Sequence, residues 1–144
     1  MLSIRLLIFA AILGLPLMAV DLSAVKAEPD LNKRAELAMD SAELSLDQAA
    51  KAYNAGNADQ AHAQLADVQA SVELACDSLR DTKSPPRNNK YYKRVELSMR
   101  TLLRHIGDLE HLVPYEDQAS LEKLQKRVQE LNEQILLDIM SKRK

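Results

Sequence analysis

The sequence predicts an all-α protein, an antiparallel four-helix bundle built from two helical hairpins. Apolar residues recur at spacings of three and four along four segments of residues 28–144, as they do on one face of an amphipathic helix. Gly56 and the pair Pro85-Pro86 interrupt this pattern where a helix has to stop. Because the chain has only four Tyr, one Phe and no Trp, its core has to be aliphatic.

The first 27 residues are typical of a secretion signal. Arg5 is followed by an uncharged apolar run, Leu6–Val20, as in the charged start and hydrophobic region of a signal peptide. A membrane-spanning helix needs about 20 apolar residues. This run is shorter than that and contains Gly14 and Pro16. A cleaved signal is therefore the favoured interpretation, and a retained anchor is the alternative.

A small-residue pattern, Val25-Lys26-Ala27, precedes Glu28 and resembles a signal-peptidase site. We therefore expect cleavage after about Ala27, a periplasmic or secreted location, and no stable membrane span afterwards. The only cysteine, Cys76, lies far downstream, so none is available near the cleavage site for lipidation. Residues 28–144 are then one helical domain, long enough for a single core.

The first predicted hairpin covers residues 30–81. Asp30, which follows a proline, is a candidate N-cap for a helix that runs to about Asn54. Gly56 allows the left-handed turn that ends this helix, and Asn57 with Gln60 three residues later forms a box-like start for the second. The two apolar stripes are rich in alanine: Leu31, Ala35, Ala38, Ala42, Leu46, Ala49 and Tyr53, then Ala61, Leu65, Val68, Val72, Ala75 and Leu79.

A linker over residues 82–89 (TKSPPRNN) separates this hairpin from a second one at residues 90–142. The third helix is expected from about Lys90 to Leu112, and the fourth from near Asp117, after Pro114. Short loops within each hairpin imply an up-down-up-down bundle. The alternative is a pair of hairpins that splay apart or are swapped between two chains of a dimer.

Motifs of catalysis and cofactor binding are missing from the sequence. It has no G-x-S-x-G, no P-loop, no C-x-x-C-H and no E-x-x-H, and residues 28–144 contain only two glycines. We therefore expect a non-enzymatic protein with no cofactor. Cys76 cannot form an internal disulfide, and we expect a half-buried inert thiol, or else a bridge between two copies.

One candidate metal site stands out, His105, Asp108 and His111 in the pattern H-x-x-D-x-x-H. Ligands three apart project from one face of a helix, which holds for His105 with Asp108 and for Asp108 with His111. The two histidines lie about 120° apart around the helix, so they do not easily bind one ion together. A metal- or small-ligand-binding bundle is thus the alternative function, against a solvated helix face.

Charge is distributed unevenly along residues 28–144. Residues 28–81 have 11 acidic and 4 basic residues, a net charge of −7, whereas residues 82–144 have 13 basic and 9 acidic residues, a net charge of +4. Their sum of −3 gives no electrostatic reason to expect a nucleic-acid partner.

The excess of positive charge is concentrated after residue 82, where two tyrosines lie among the cations. We call seven of these residues the basic stretch: Lys83, Arg87, Lys90, Tyr91, Tyr92, Lys93 and Arg94. A surface of this kind binds an anionic envelope component or an acidic protein, which is our leading functional hypothesis. The structural alternative is that the basic second hairpin packs its flanks against the acidic first one.

Two resemblances concern architecture. Residues 52–61 (AYNAGNADQA), with Leu65 and Val68 following, resemble the inter-helix turn of a tetratricopeptide repeat. The first helix is longer than in that repeat, and no second copy follows at a period near 34 residues. With VELACDSL closing the first hairpin and KYYKRVEL opening the second, the chain looks like small secreted bacterial helical proteins. That resemblance implies a helical fold and no particular activity.

Overall fold

The computed structural model describes residues 22–141, and within that range the chain forms five α-helices and no strand. The all-α prediction is therefore confirmed. The helices are α1 (Leu22–Lys26), α2 (Leu31–Asn54), α3 (Ala58–Asp81), α4 (Lys90–Glu110) and α5 (Tyr115–Met140), with a short 3-10 turn at Pro86–Asn88. Most of the predicted signal, residues 1–21, lies outside the described residues. None of the helices in residues 22–141 combines the length and apolar character that crossing a bilayer requires.

The ends of α2 are those that the sequence predicts. The carboxylate of Asp30 accepts hydrogen bonds from the backbone N–H groups of Asn32 (3.0 Å) and Lys33 (3.2 Å), which satisfies two donors that the first turn of a helix leaves free. At the other end, Gly56 has a φ of +74°, a left-handed conformation that costs glycine no steric strain.

The start of α3 also follows the prediction. The side-chain oxygen of Asn57 accepts a hydrogen bond from the N–H of Gln60 (3.2 Å). Its side-chain amide donates to the Gln60 side chain (2.8 Å), so the reciprocal bond of the box is made by the Asn57 side chain and not by its backbone N–H, which donates to the carbonyl of Ala52 (2.9 Å). This tight turn brings α2 and α3 side by side as an antiparallel hairpin.

Small side chains fill the interior of this first hairpin. The buried residues of α2 include five alanines and two serines: Ala35, Ala38, Ser41, Ala42, Ser45, Ala49 and Ala52. Helix α3 buries Ala61, Ser71, Ala75 and Ser78 along with its larger residues. Helices α2 and α3 pack against each other more extensively than any other pair, because short side chains let their backbones approach closely.

The second hairpin, α4 and α5, is built from larger aliphatic residues. Asn89 caps α4 by accepting from the N–H of Tyr91 (2.9 Å), and α5 begins directly after Pro114. Buried side chains on these two helices include Val95, Met99, Leu102, Ile106, Leu109, Leu121, Leu124, Val128, Leu131 and Ile135. They join the buried residues of the other helices in one continuous core, so the two hairpins close on each other within a single chain.

The two hairpins associate with parallel helices facing each other. Three residues of α2 form side-chain contacts with α4 or with its N-cap, Asn89. The pairs are Asn32–Asn89, Glu36–Arg94 and Glu43–His105, which are 57, 58 and 62 residues apart in sequence. Helices α3 and α5 meet in the same way at separations of 54 and 55 residues. A nearly constant separation means that both partners advance in the same direction. Thus α4 lies beside α2 and α5 beside α3, and the linker at 82–89 crosses one end of the bundle.

Helix α1 is an element that the sequence did not predict. Val25 is 9% exposed and belongs to the hydrophobic core, and Leu22 packs against that core. The helix contacts α2. It lies within residues 22–27, the final part of the predicted signal.

Candidate functional site

The basic stretch does not form one surface, because its residues point in three directions. Tyr92 is 3% exposed and belongs to the hydrophobic core, so its side chain offers little surface to a partner on the outside of α4. It lies on the apolar stripe of α4, three residues before Val95, and that stripe faces the interior. The remaining six residues divide between the outer side of α4 and a cleft at the linker.

On the outer side of α4, the cations are already engaged within the bundle. The guanidinium of Arg94 donates to the carboxylate of Glu36 on α2 (2.8 Å) and also lies over the ring of Tyr91, 5.2 Å from its centroid. The ammonium of Lys90 lies 5.4 Å from the same centroid. Such cation–π contacts each contribute about 0.5–1 kcal/mol at exposed sites. This group therefore has a structural role between α2 and α4.

Lys93 belongs to a third arrangement, around a buried carboxylate. The side chain of Glu96 is fully buried, and its two oxygens accept hydrogen bonds from Lys93 (3.1 Å) and from Arg100. A buried carboxylate without partners would be strongly destabilising, so both cations are needed where they lie. Lys93 is consequently committed to its own helix.

Lys83 and Arg87 line a cleft of about 870 Å³ at the linker end of the bundle, which we call the linker cleft. Its walls come from the end of α3, the linker, the start of α4 and the end of α5. The lining residues are Arg80, Lys83, Ser84, Pro85, Pro86, Arg87, Asn88, Tyr92, Asp138 and Ser141. The cleft thus combines three cations with a single acid among the described residues that line it.

The cations of the linker cleft differ in how far they are neutralised. Arg80 donates to the side chain of Gln134 (2.9 Å) and lies 3.7 Å from the carboxylate of Asp138. Lys83 and Arg87 form no ion pair with any residue between 22 and 141. Arg80 was not among the predicted binding residues. It lies in the last turn of the helix that leads into the linker, and it reaches the cleft through the packing of α3 beside α5.

Lys83 has an unusual backbone conformation. Its φ is +54°, and it is the only residue other than glycine with a positive φ among those described. It follows Thr82, the C-cap of α3, whose hydroxyl donates to the carbonyl of Leu79 (2.7 Å). Glycine is the usual residue at such a position, and a side chain there costs roughly 1–2 kcal/mol. The lysine is therefore held in the cleft at the expense of local backbone strain.

The candidate metal site finds no support in the geometry. Nowhere in residues 22–141 do three or more His, Cys, Asp or Glu side chains come together in a way that could hold a metal ion. The Nδ1 atom of His105 instead lies 3.0 Å from a carboxylate oxygen of Glu43 on α2. His111 is the C-cap residue of α4, past the end of the helix that holds Asp108.

Three contacts between the hairpins agree with the structural interpretation of the charge asymmetry. Glu36, Glu43 and Glu73 of the acidic first hairpin pair with Arg94, His105 and Arg127 of the basic second one, at 2.8–3.0 Å. The hydrogen bond to Glu73 raises the pKa of the Arg127 guanidinium. These pairs lie where the two hairpins meet, whereas among the described cations of the linker cleft only Arg80 has an acidic partner, Asp138.

A polar cluster at the opposite end also joins the hairpins. His62 of α3 lies 3.1 Å from the carboxylate of Asp117 on α5, and the Tyr53 ring meets the His62 ring edge to face at 6.2 Å. Burial, followed by the charge of Asp117, raises the pKa of Tyr53. This cluster connects α2, α3 and α5 at the end where the two hairpin turns lie.

Cys76 is more deeply buried than the sequence analysis expected. Its side chain is 0% exposed, and burial is the main cause that raises its pKa to about 12. A thiol in this state neither ionises near neutral pH nor reaches a second protein molecule while the bundle is folded. The expectation of an inert thiol fits this geometry better than the expectation of a bridge between copies.

Comparison with known proteins gives no relative for this chain: no family model matches it, and no match was found among curated proteins or solved structures.

Proposed function

We propose that this chain is an exported, non-enzymatic helical protein that binds an anionic partner in the linker cleft. The observation that supports this proposal is the lining of the cleft, where Arg80, Lys83 and Arg87 stand against Asp138. Three positive charges and one negative charge give the cleft a net charge of +2. Export is inferred from the signal-like sequence of residues 1–27.

The chemistry of the lining indicates a partner that bears phosphate groups. A concave wall with one sign of charge concentrates the electric field and attracts counter-ions. Arginine presents a planar fork of donors that matches a phosphate group, and lysine adds a point charge. The hydroxyls of Ser84 and Ser141 and the side-chain amide of Asn88 add uncharged donors around the same cleft.

The linker cleft is a better candidate than the outer side of α4 because its cations are less committed. Arg94 is paired with Glu36, and Lys93 with the buried Glu96. A partner that took these cations away would leave carboxylates unpaired within the bundle, which costs stability. Lys83 and Arg87 carry no such cost.

The proposal is tested by reversing the two free charges of the cleft. The double variant Lys83→Glu/Arg87→Glu is compared with Lys123→Glu/Lys126→Glu, which changes the net charge equally on exposed positions of α5. Lys123 lies 15 residues before Asp138, or roughly 22 Å along the helix. Binding is measured to vesicles of phosphatidylcholine with and without phosphatidylglycerol, and separately to soluble polyphosphate, over a range of salt concentrations.

Each cation near an anionic surface contributes about 1 kcal/mol, so loss of two is expected to weaken binding by about 25-fold or more. The control pair should bind like the unmodified protein, and added salt should weaken all binding. Binding to vesicles alone would identify a lipid headgroup, and binding to polyphosphate a free polyanion. Equal binding by both double variants would contradict the assignment of the cleft.

Reversal of Lys90, Lys93 and Arg94 makes a useful second comparison. On the sequence alone, this triple variant should weaken binding and leave helicity unchanged. The ion pairs described above change that expectation, because the variant places three acids beside Glu36 and Glu96. We expect a lower melting temperature in this variant and retained binding once it is measured below that temperature.

A further inference from the structure

Helix α1 is part of the folded core, although the sequence placed it within the signal. Val25 is 9% exposed and belongs to the hydrophobic core, although it is the least buried of the core residues, and Leu22 packs against the same core. Backbone hydrogen bonds also satisfy carbonyl groups in α1. The N–H of Ala27 donates to the carbonyl of Ser23 (3.1 Å), and the N–H of Glu28 donates to the carbonyl of Val25 (3.1 Å). Residues 22–28 thus have a defined structure.

The bond between Ala27 and Glu28 lies inside this structure rather than at its edge. The carbonyl of Glu28 accepts from Nε of Arg34 on α2 (2.8 Å). The Glu28 carboxylate accepts from the N–H of Asp30 (3.2 Å) and lies 3.8 Å from the ammonium of Lys33. Residues on both sides of the bond are therefore attached to the same bundle.

Cleavage at Ala27–Glu28 would also place a new terminal ammonium on Glu28, two residues before Asp30, the N-cap of α2. Lys33 and Arg34 already contact Glu28 there. Removal of α1 would in addition expose the apolar surface that Val25 covers.

We propose that Leu22–Lys26 remains in the exported protein and that signal peptidase cleaves upstream, between Ala19 and Val20. The segment Leu17-Met18-Ala19 has the same aliphatic-x-alanine pattern as Val25-Lys26-Ala27, and Pro16 stands just before it. The apolar run then covers Leu6–Leu15, which falls within the length of about 7–15 residues that is typical of a signal. Water adds across the peptide bond, which leaves a carboxylate on Ala19 and an amine on Val20.

This inference rests on the export in the proposed function, and the experiment separates the two. The full chain is expressed in a bacterium, the cells are fractionated, and the N-terminus and intact mass of the protein are determined in each fraction. We expect a protein that begins at Val20 in the periplasm or medium. A protein there that begins at Glu28 would overturn the inference and leave export intact. Uncleaved protein confined to the cytoplasm would overturn both.

A second measurement uses substitutions in the same full chain. Val25→Asp is compared with Lys26→Ala, which changes an exposed neighbour. If α1 is retained, the exported Val25→Asp protein should melt at least about 5 °C below the unmodified protein, because a carboxylate replaces a core side chain. The Lys26→Ala protein should melt at the unmodified temperature. Identical melting of all three, with Glu28 as the first residue, is the result expected if α1 is removed and would overturn the inference.

Discussion

The two hairpins of this bundle form a common core with different kinds of side chain. In α2 and α3, alanine and serine make up 11 of the 20 buried residues, and these two helices make the most extensive contact among the described helices. In α4 and α5 it is leucine, isoleucine, valine and methionine, and the buried side chains are larger. The first hairpin gains stability from close approach of its backbones, and the second from the apolar area that each side chain removes from water.

The hairpins differ in buried polar groups as well. Six of the eight buried polar or charged residues lie in the first hairpin: Ser41, Ser45, Gln48, Gln64, Ser71 and Ser78. The second has only Glu96 and Asn132 among its described residues. One core therefore includes two interfaces that respond in opposite ways to a change in side-chain size. Added atoms should damage the first hairpin, and removed atoms should damage the second.

The largest effect is expected for the reactivity of Cys76, which lies on the first hairpin. Because the thiol is buried and its pKa is raised to about 12, labelling by an aromatic disulfide reagent at pH 8 should be slower than in the unfolded chain by at least about a thousandfold. A Ser120→Cys variant in a Cys76→Ala background provides an exposed control that should react at once. Fast labelling of native Cys76 would mean that the first hairpin separates readily from the second.

The raised pKa of Cys76 also predicts a pH dependence. The unfolded thiol ionises around its ordinary value of 9.0, whereas the folded thiol holds its proton to about 12. The thiol of the unfolded chain therefore loses its proton first as the pH rises. The contribution of Cys76 to the free energy of unfolding should decline above about pH 9. The Cys76→Ala variant should lack this part of the pH dependence in urea unfolding.

Removal of atoms from the second hairpin comes next in size. Leu102→Ala truncates a fully buried side chain of α4 and should lower the free energy of unfolding by about 3 kcal/mol, within the range of 2–5 kcal/mol for such changes. Leu97→Ala is the matched control on the same helix, where the side chain is 49% exposed, and should cost below about 1 kcal/mol. Urea unfolding measures both. Equal losses would mean that the α4 stripe is not what stabilises this hairpin.

Addition of atoms to the first hairpin should have a somewhat smaller effect. Ala42→Leu puts a larger side chain at a fully buried position of α2 and should cost about 2 kcal/mol, since overpacking typically costs 1–3 kcal/mol. Ala63→Leu makes the same change at an exposed position of α3 and should be nearly neutral. Thermal unfolding compares the two. If Ala42→Leu were neutral, the close-approach interpretation of this hairpin would be wrong.

Two serines of the first hairpin should give an effect of opposite sign. The hydroxyls of Ser45 and Ser71 are buried and have no hydrogen-bond partner among residues 22–141. Replacement by alanine removes a buried polar group and improves helix propensity, so each variant should be more stable by about 1 kcal/mol. Ser120→Ala, at an exposed position of α5, measures propensity alone and should gain about 0.5 kcal/mol. A loss of stability at Ser45 or Ser71 would reveal a hydrogen bond formed in solution.

The smallest effect concerns the junction between the hairpins. Lys83→Gly relieves the left-handed strain at the end of α3 and should raise stability by about 0.5–1 kcal/mol, after allowance for the added freedom of the unfolded chain. Lys83→Ala keeps a Cβ atom and should show no such gain. Both variants lose a cation of the linker cleft, so both should bind an anionic partner less well. A gain with alanine equal to that with glycine would show that the lysine side chain, and not its backbone, is the source of strain.

Local features of this fold were predictable from the sequence, and contacts between hairpins were not. Asp30, Gly56 and Asn57 act on backbone groups a few residues away, so short patterns identify their roles. By contrast, the sequence gives no rule for whether α4 lies beside α2 or beside α3. That choice depends on how two apolar faces and their flanking charges fit in three dimensions.

The candidate site shows the same limit. Lys83 and Arg87 were predicted because they lie in one stretch of sequence. Arg80 and Asp138 reach the linker cleft from the ends of two other helices, so their place in it depends on tertiary packing. Tyr92 was assigned to the surface because of its charged neighbours, although its position on the apolar stripe of α4 already indicated burial.

The sequence separation between facing residues is nearly constant, so the second hairpin is related to the first by a sideways translation with little rotation. Such an arrangement is open in principle, because the same displacement could add a third hairpin to the second, as in solenoid proteins. The outer surface of the second hairpin presents charged side chains, among them Lys93, Arg100, Lys126 and Glu133, which are exposed to solvent. Charged side chains of this kind do not provide the apolar surface against which a third hairpin would pack.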